Sequence, residues 1–449
     1  MQKAYLPLTD EDRKKMLEVI GVESVEDLFA DIPDELRYKD QMNIPPGLSE
    51  MELANHMKDL AGKNLDVGQL ICFRGAGAYD HYLPAVVDTV ISRAEFYTAY
   101  TPYQAEVSQG VLQSIYEYQT VIAELTGMDV SNASMYDGST AMVEAVILSQ
   151  AISRRKKGVV ISSSIHPEYR DTLETYSPGM ELDVRTVPTV DGVTDMKALE
   201  AAMDDQVTCV ILQTPNFFGL LEKLDKAREL ADRHKAHLVV VTDPTALSLI
   251  KPPGEAGADI VVGEGQPLGN PMGYGGPYLG FFACREKFMR RMGGRISGMT
   301  TDNRGQRGFV LTLQAREQHI RRERATSNIC SNEALCALAA LVYVSALGKE
   351  GMREVAELCL EKAHYAAERI AALDGYELPF KSPFFKEFVV SCPEDPAVIN
   401  QRLLDRGILG GVDLGEFYPE MKGQMLIAVT EKRSKEEIGQ LVAGLEGAS

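Results

Sequence analysis

Five short runs limit what this chain can fold into: Gly158-Val-Val-Ile-Ser-Ser, Val207-Thr-Cys-Val-Ile-Leu, Leu238-Val-Val-Val-Thr, Ile260-Val-Val and Leu279-Gly-Phe-Phe-Ala-Cys. A strand with one wet face alternates apolar and polar residues, and these runs do not alternate. They are separated by helical patterns such as 223–234, so they predict a mainly parallel sheet covered by helices on both faces. Val107, Val111, Ile115, Tyr118, Ile122 and Leu125 keep a helical stripe that Gly127 ends as a C-cap. The stretch 139–152 reads as an Ala/Val-rich buried helix. Past a long helical stretch, 332–373, the texture changes. Strand patterns at 385–391, 407–412 and 425–429 mix there with helical ones at 396–405 and 434–445. Ahead of the sheet the chain is polar and helical, with a capping-box start at Thr9 and Asp12 and a break at Pro45-Pro-Gly47. The expected organisation is a helical N-terminal extension over 1–85, a large α/β domain over 86–330 and an α+β domain over 331–449.

A net charge of −19 in 449 residues argues against nucleic acid or an anionic membrane surface as partner, because attraction to phosphate needs a basic face. The charge is uneven: 285–325 holds 11 Lys/Arg against four Asp/Glu, a local +7. Such a run reads first as a solvated face and second as an anion or partner site. Seven scattered Cys form no C-x-x-C pair, which suggests inert thiols in a reducing cytoplasm and neither disulfides nor a metal site. The first ten residues lack a signal-peptide pattern, and no apolar run is expected to span a membrane.

The run Leu238-Val-Val-Val-Thr leads into Asp243, an acid at the carboxyl end of a strand, where open α/β sheets bind ligands. A buried Asp there, followed by a glycine-rich loop, is the arrangement by which pyridoxal-phosphate enzymes pair the pyridinium nitrogen. Those enzymes also need a Lys on the following loop for the Schiff base. Between Lys251 and Lys287 there is no lysine at all, and Gln266 stands in the slot. An amide cannot form an imine. The pattern is that of a cofactor fold that does not run the chemistry by itself.

Other motifs are less specific. Tyr136-Asp-Gly138-Ser139-Thr140 opens the buried helix, and a Gly with two hydroxyls there could cup an anion; taken alone it reads first as a plain N-cap. His166 follows a strand end on the same edge as Asp243, placed either to stack on a ring or to serve structure. His234 and His237 are expected at the surface near a helix end. Phe73-Arg-Gly-Ala-Gly-Ala-Tyr-Asp-His81 and the loop 263–277 both fall short of G-x-G-x-x-G, and no P-loop, G-x-S-x-G or H-E-x-x-H occurs. Tyr97-Thr-Ala-Tyr100-Thr101-Pro-Tyr103-Gln104 crowds hydrogen-bonding aromatics around one proline, as pocket and interface loops do.

Tyr100-Thr-Pro-Tyr-Gln-Ala-Glu-Val-Ser-Gln-Gly110, Tyr118-Gln119, Ala123-Glu-Leu-Thr-Gly127, Asn132-Ala-Ser134 and Ala325-Thr-Ser-Asn-Ile-Cys330 closely resemble the P-protein family of the glycine cleavage system. Ile44-Pro-Pro-Gly-Leu-Ser-Glu50 and Val429-Thr-Glu-Lys-Arg433 extend the likeness over nearly the whole chain, and it is closest to the alpha subunit of the split two-gene form. The resemblance implies a type I pyridoxal-phosphate-transferase-like α/β fold, with a mainly parallel sheet in the large domain. It implies a beta subunit that carries the cofactor lysine, an α2β2 assembly, and no cofactor bound covalently to this chain. It further implies glycine decarboxylation, with the aminomethyl group passing to the lipoyl arm of an H-protein. Carried over by position, Tyr100, Thr101, Tyr103 and Gln104, with Gly75, Gly77 and Tyr79, would line the partner's site. Gly138, Ser139, Thr140, His166 and Asp243 would form a degenerate pocket of this chain. Arg74 departs from the smaller residue expected before Gly75. Two other readings stay open: a scaffold that stabilises beta and docks the H-protein, and a self-sufficient pyridoxal-phosphate decarboxylase with its lysine elsewhere.

Overall fold

The computed structural model describes residues 7–153 and 156–447. Its chain divides into two units, Met1–Asn64 and Leu65–Ser449. The first holds helices Asp10–Ile20 and Glu50–Ala61, each started by a reciprocal capping box, Thr9 with Asp12 and Ser49 with Glu52. Neither helix buries a side chain.

The second unit is built on seven strands: β1 (Val130–Ser131), β2 (Gly158–Ser162), β3 (Asp183–Val187), β4 (Val207–Gln213), β5 (His237–Val241), β6 (Ile260–Glu264) and β7 (Gly280–Cys284). Their spatial order is β1-β7-β6-β5-β4-β2-β3. Strands β3, β2, β4, β5 and β6 run parallel, while β7 is antiparallel to both its neighbours. Successive residues of one strand enter opposite cores. Val160, Val210, Leu212, Val240 and Val261 pack with Tyr118, Ile122 and Leu230. Val159, Cys209, Ile211, Val239 and Val262 pack with Ala141, Met142 and Val146. Each Val, Leu or Ile so buried contributes about 1.5–3 kcal/mol, which is why neither face of these strands tolerates polar residues.

The expected domain limits at 85/86 and 330/331 fall inside this second unit. Ile71–Cys72 pairs in parallel with Ile408–Leu409, tying the segment after residue 65 to the far end of the chain. The C-terminal layer is an antiparallel sheet of Glu387–Ser391, Gln424–Ala428 and Val412–Asp413, backed by helices Pro396–Leu404 and Lys435–Leu445. By length and composition alone the helix Ala334–Ala371 is apolar enough to cross a membrane. It is interrupted at Gly348, and Leu338, Tyr343, Ala363 and Ile370 bury in the cores, which accounts for its apolar character. His237 opens β5 and lies edge-on to Phe288 at 5.2 Å, not at a helix end.

The parallel strands put the ends of β2, β5 and β6 on one edge, so His166, Asp243 and Gln266 converge there. The C-terminal layer closes over that edge: Gly219 lets the chain pass so tightly that an added Cβ would lie 1.9 Å from the Glu387 carbonyl oxygen, at φ +82°. Gly219→Ala should therefore destabilise the chain by about 3 kcal/mol in urea unfolding; an unchanged midpoint would contradict this packing.

Candidate active site

The loop after β6 places Gln266 at 1% exposure. Its amide clamps one backbone unit: Oε1 accepts from Tyr79 N at 2.9 Å, and Nε2 donates to Tyr79 O at 3.0 Å and to Asn270 O at 2.8 Å. A lysine has no acceptor and could not make this pairing. The clamp turns the loop inward. Tyr79 is buried, its hydroxyl donating to Glu387 Oε2 at 2.7 Å, and Gly77 sits against His166. Gln266 and Glu387 thus hold Tyr79 inward, while Gly75 and Gly77 on the same loop stay partly exposed.

Asp243 has both oxygens engaged. Oδ1 accepts from Thr245 N at 2.9 Å, and Oδ2 lies 2.7 Å from the ammonium of Lys386, whose side chain is 2% exposed. Lys386 Nζ also stands 3.6 Å from the centre of the Tyr79 ring and 3.0 Å from His81 Nε2. An ammonium only donates, so Nε2 accepts and the His81 ring hydrogen sits on Nδ1, 2.6 Å from Glu431 Oε2. Burial alone would raise the Glu431 carboxyl. The hydrogen bonds from His81 and Tyr82 outweigh it and hold the group at about 2. The result is a buried relay of Asp243, Lys386, His81 and Glu431.

The helix Gly138–Ile152 opens beside this relay, and its N-terminus is already filled. Asp137 Oδ1 accepts from Thr140 N at 2.7 Å and from both hydroxyls, Ser139 Oγ at 2.9 Å and Thr140 Oγ1 at 2.8 Å. Glu264 Oε2 accepts from Gly138 N at 3.1 Å, while Oε1 accepts from Gln266 N and Leu279 N. Burial outweighs these N–H bonds and pushes the Glu264 carboxyl up to about 7. The anion cup anticipated at Gly138, Ser139 and Thr140 holds the protein's own carboxylates.

His166 caps the helix Pro167–Met180 through Nδ1, which accepts from Glu168 N at 3.2 Å, and its Nε2 reaches Ala76 O at 2.9 Å. Its ring face is covered by Tyr169, stacked at 4.9 Å. Burial lowers its pKa, favouring the uncharged ring.

Each place where this fold would grip pyridoxal phosphate is therefore taken. Lys386 sits on Asp243, two carboxylates close the helix N-terminus, Tyr169 covers His166, and Gln266 replaces the imine-forming amine. A phosphate at Gly138 would meet Glu264 and Asp137 at close range, so these residues do not fit the group. Tyr100 (85% exposed), Tyr103 and Gln104 take no part in this buried cluster and face outward, with Thr101 half-buried. Lys386, Glu387, His81, Glu431 and Glu264 were not singled out from sequence. The available signal was Lys386-Glu387, two charges opening an otherwise apolar strand.

Residues 3–445 match the family described as Glycine cleavage system P-protein. The chain belongs to the P-protein family. A relative from Desulforamulus reducens, named Probable glycine dehydrogenase (decarboxylating) subunit 1, is 56% identical over 99% of this chain and 100% of its own length. A crystal structure of glycine decarboxylase (P-protein) of the glycine cleavage system, in inhibitor-bound form, superposes with a TM-score of 0.90 at 42% identity, covering 99% of each chain. A glutamate decarboxylase from Lactobacillus brevis, 13% identical with a TM-score of 0.67 over 92% of this chain and 95% of that one, shares the fold alone. The P-protein chain described here has the type I α/β fold of pyridoxal-phosphate-dependent enzymes, with a mostly parallel central sheet.

Glu387 supplies a test of this pocket's electrostatics. Burial pushes its carboxyl from an ordinary 4.5 to about 7. Below pH 4.5 both folded and unfolded chains keep the proton. Between pH 4.5 and about 7 the unfolded chain releases it first, so this group costs stability as pH rises. Glu387→Gln should therefore gain stability relative to wild type from pH 5 to pH 8 in urea unfolding; a difference independent of pH would contradict the assignment.

Proposed function

We propose that this chain is the cofactor-free subunit of a two-subunit glycine dehydrogenase (decarboxylating). The observation that carries the reading is the Lys386–Asp243 pair seated where a pyridinium would be held, beside Gln266 in the lysine slot. In this reading a beta subunit of the same family binds pyridoxal phosphate, and two copies of each form an α2β2 assembly. That assembly decarboxylates glycine and passes the aminomethyl group to the lipoyl arm of an H-protein, in glycine catabolism. All seven cysteines are free, which supports a cytoplasmic setting.

This chain's part is to present a surface. Tyr100, Thr101, Tyr103 and Gln104 stand on the loop after helix Ala94–Tyr97, and the ring of Tyr103 is supported by Arg295 at 5.7 Å and His319 at 6.2 Å. Set against a partner's site, these hydroxyls and the amide would orient substrate and exclude water.

In the assembled complex, Tyr103→Phe should lower glycine-dependent CO2 exchange by up to about 10²-fold, a few kcal/mol at most, while assembly is unaffected because the ring is kept. An unchanged rate in an intact complex would make the chain a scaffold instead.

A further inference from the structure

Away from the relay, a second polar recess lies between Met292-Gly293-Gly294, Arg295, Arg316 and the segment 326–331. It is narrow, with an interior of about 20 Å³, room for a compact polar head and not for a ring. Two guanidinium groups face it with donors to spare. Arg295 is 5% exposed and its Nε has no hydrogen-bond partner. The nearest acid, Glu317 Oε2, is 3.9 Å away, beyond hydrogen-bond distance. Arg316 gives Nη1 to the Met292 carbonyl, leaving Nε and Nη2 unpartnered.

Those two nitrogens form one edge of the guanidinium, the side-on fork whose parallel N–H groups match two oxygens of a carboxylate or phosphate. Buried donors are costly when unmade, and three of them converge here. The charge count agrees: Arg291, Arg295 and Arg316 line the recess against one carboxylate, Glu317, leaving a surplus of positive charge. Behind Gly293 lies Glu144, whose carboxyl burial pushes up to about 7. The exposed Thr326 places a hydroxyl at the rim, while Ser327 Oγ is engaged by Glu144 and by Ile329 N.

We propose that this recess is an oxyanion site. Arg316 takes a phosphate- or carboxylate-type group side-on through Nε and Nη2, Arg295 Nε donates a third hydrogen bond, and the Thr326 hydroxyl closes the mouth. The group is either a free anion or an acidic head carried by the partner subunit. Tyr103 packs on Arg295, so the site opens beside the loop assigned to the partner's face. The inference stands on the unpartnered guanidinium donors and does not require that assignment.

Inorganic phosphate, titrated calorimetrically into the isolated full chain in buffer free of phosphate and sulfate, should bind saturably at one site. Arg316→Gln should weaken it at least tenfold, with folding checked by circular dichroism and urea midpoint. Thr326→Val, at the exposed rim, should weaken it several-fold and serves as the readout if the arginine variant does not fold. Repeating the titration on the complex separates the sources: loss of phosphate binding on assembly assigns the site to a partner-borne group, and retention assigns it to a free anion. No saturable binding by wild type, or equal binding by both variants (an adventitious ion only), would overturn the proposal.

Discussion

One ammonium and one carboxylate, 2.7 Å apart and almost sealed from water, join the two halves of the second unit. Asp243 ends the segment leaving β5, and Lys386 opens the C-terminal sheet. Burying such a pair is unfavourable unless the remaining donors and acceptors are met. Here they are: Thr245 N–H serves Asp243, while His81 Nε2 and the Tyr79 ring serve Lys386. Removing one partner would strand the other, at a cost of about 3–5 kcal/mol. The pair therefore fixes where the C-terminal layer sits and how the loop 73–82 is threaded beneath it.

That constraint shapes the chemistry this chain can offer. A fold that grips a cofactor normally leaves an anion cup, a ring-stacking face and an acid free for it. In this chain Glu264 and Asp137, Tyr169 and Lys386 fill those places. At those places the chain's own side chains satisfy one another. What remains available is outward: the tyrosine loop, and beside it the recess at Arg316. On the proposed reading, the chain acts through what it presents to a partner subunit.

The parallel sheet was legible because both of its cores demand apolar residues, and the runs at 158–163, 207–212, 238–242 and 260–262 show no polar alternation. Gln266 was legible because a missing lysine is a chemical fact about one position. The inward turn of Tyr79 was not, since it depends on Gln266 and Glu387, 187 and 308 residues away in sequence. Glu264 closing the helix at Gly138 is equally non-local, and a hydroxyl-rich helix start looks the same in sequence whether its donors are free or spent. The apolar character of Ala334–Ala371 serves packing: the helix is broken at Gly348 and buries Leu338, Ala356 and Ala363 in three separate cores. The basic run at 285–325 looked uniform but divides: Arg321, Arg322 and Arg324 are exposed, whereas Arg295 is buried and Arg316 largely so.

On the proposed reading, the buried cluster at Asp243 and Gln266 is satisfied by its own side chains and takes no pyridoxal phosphate. The direct measurement is to incubate the isolated chain with pyridoxal phosphate, reduce with borohydride and map the peptides. No specifically modified lysine and no aldimine absorbance before reduction are expected. Stoichiometric labelling of Lys386, or of any other single lysine, would contradict it.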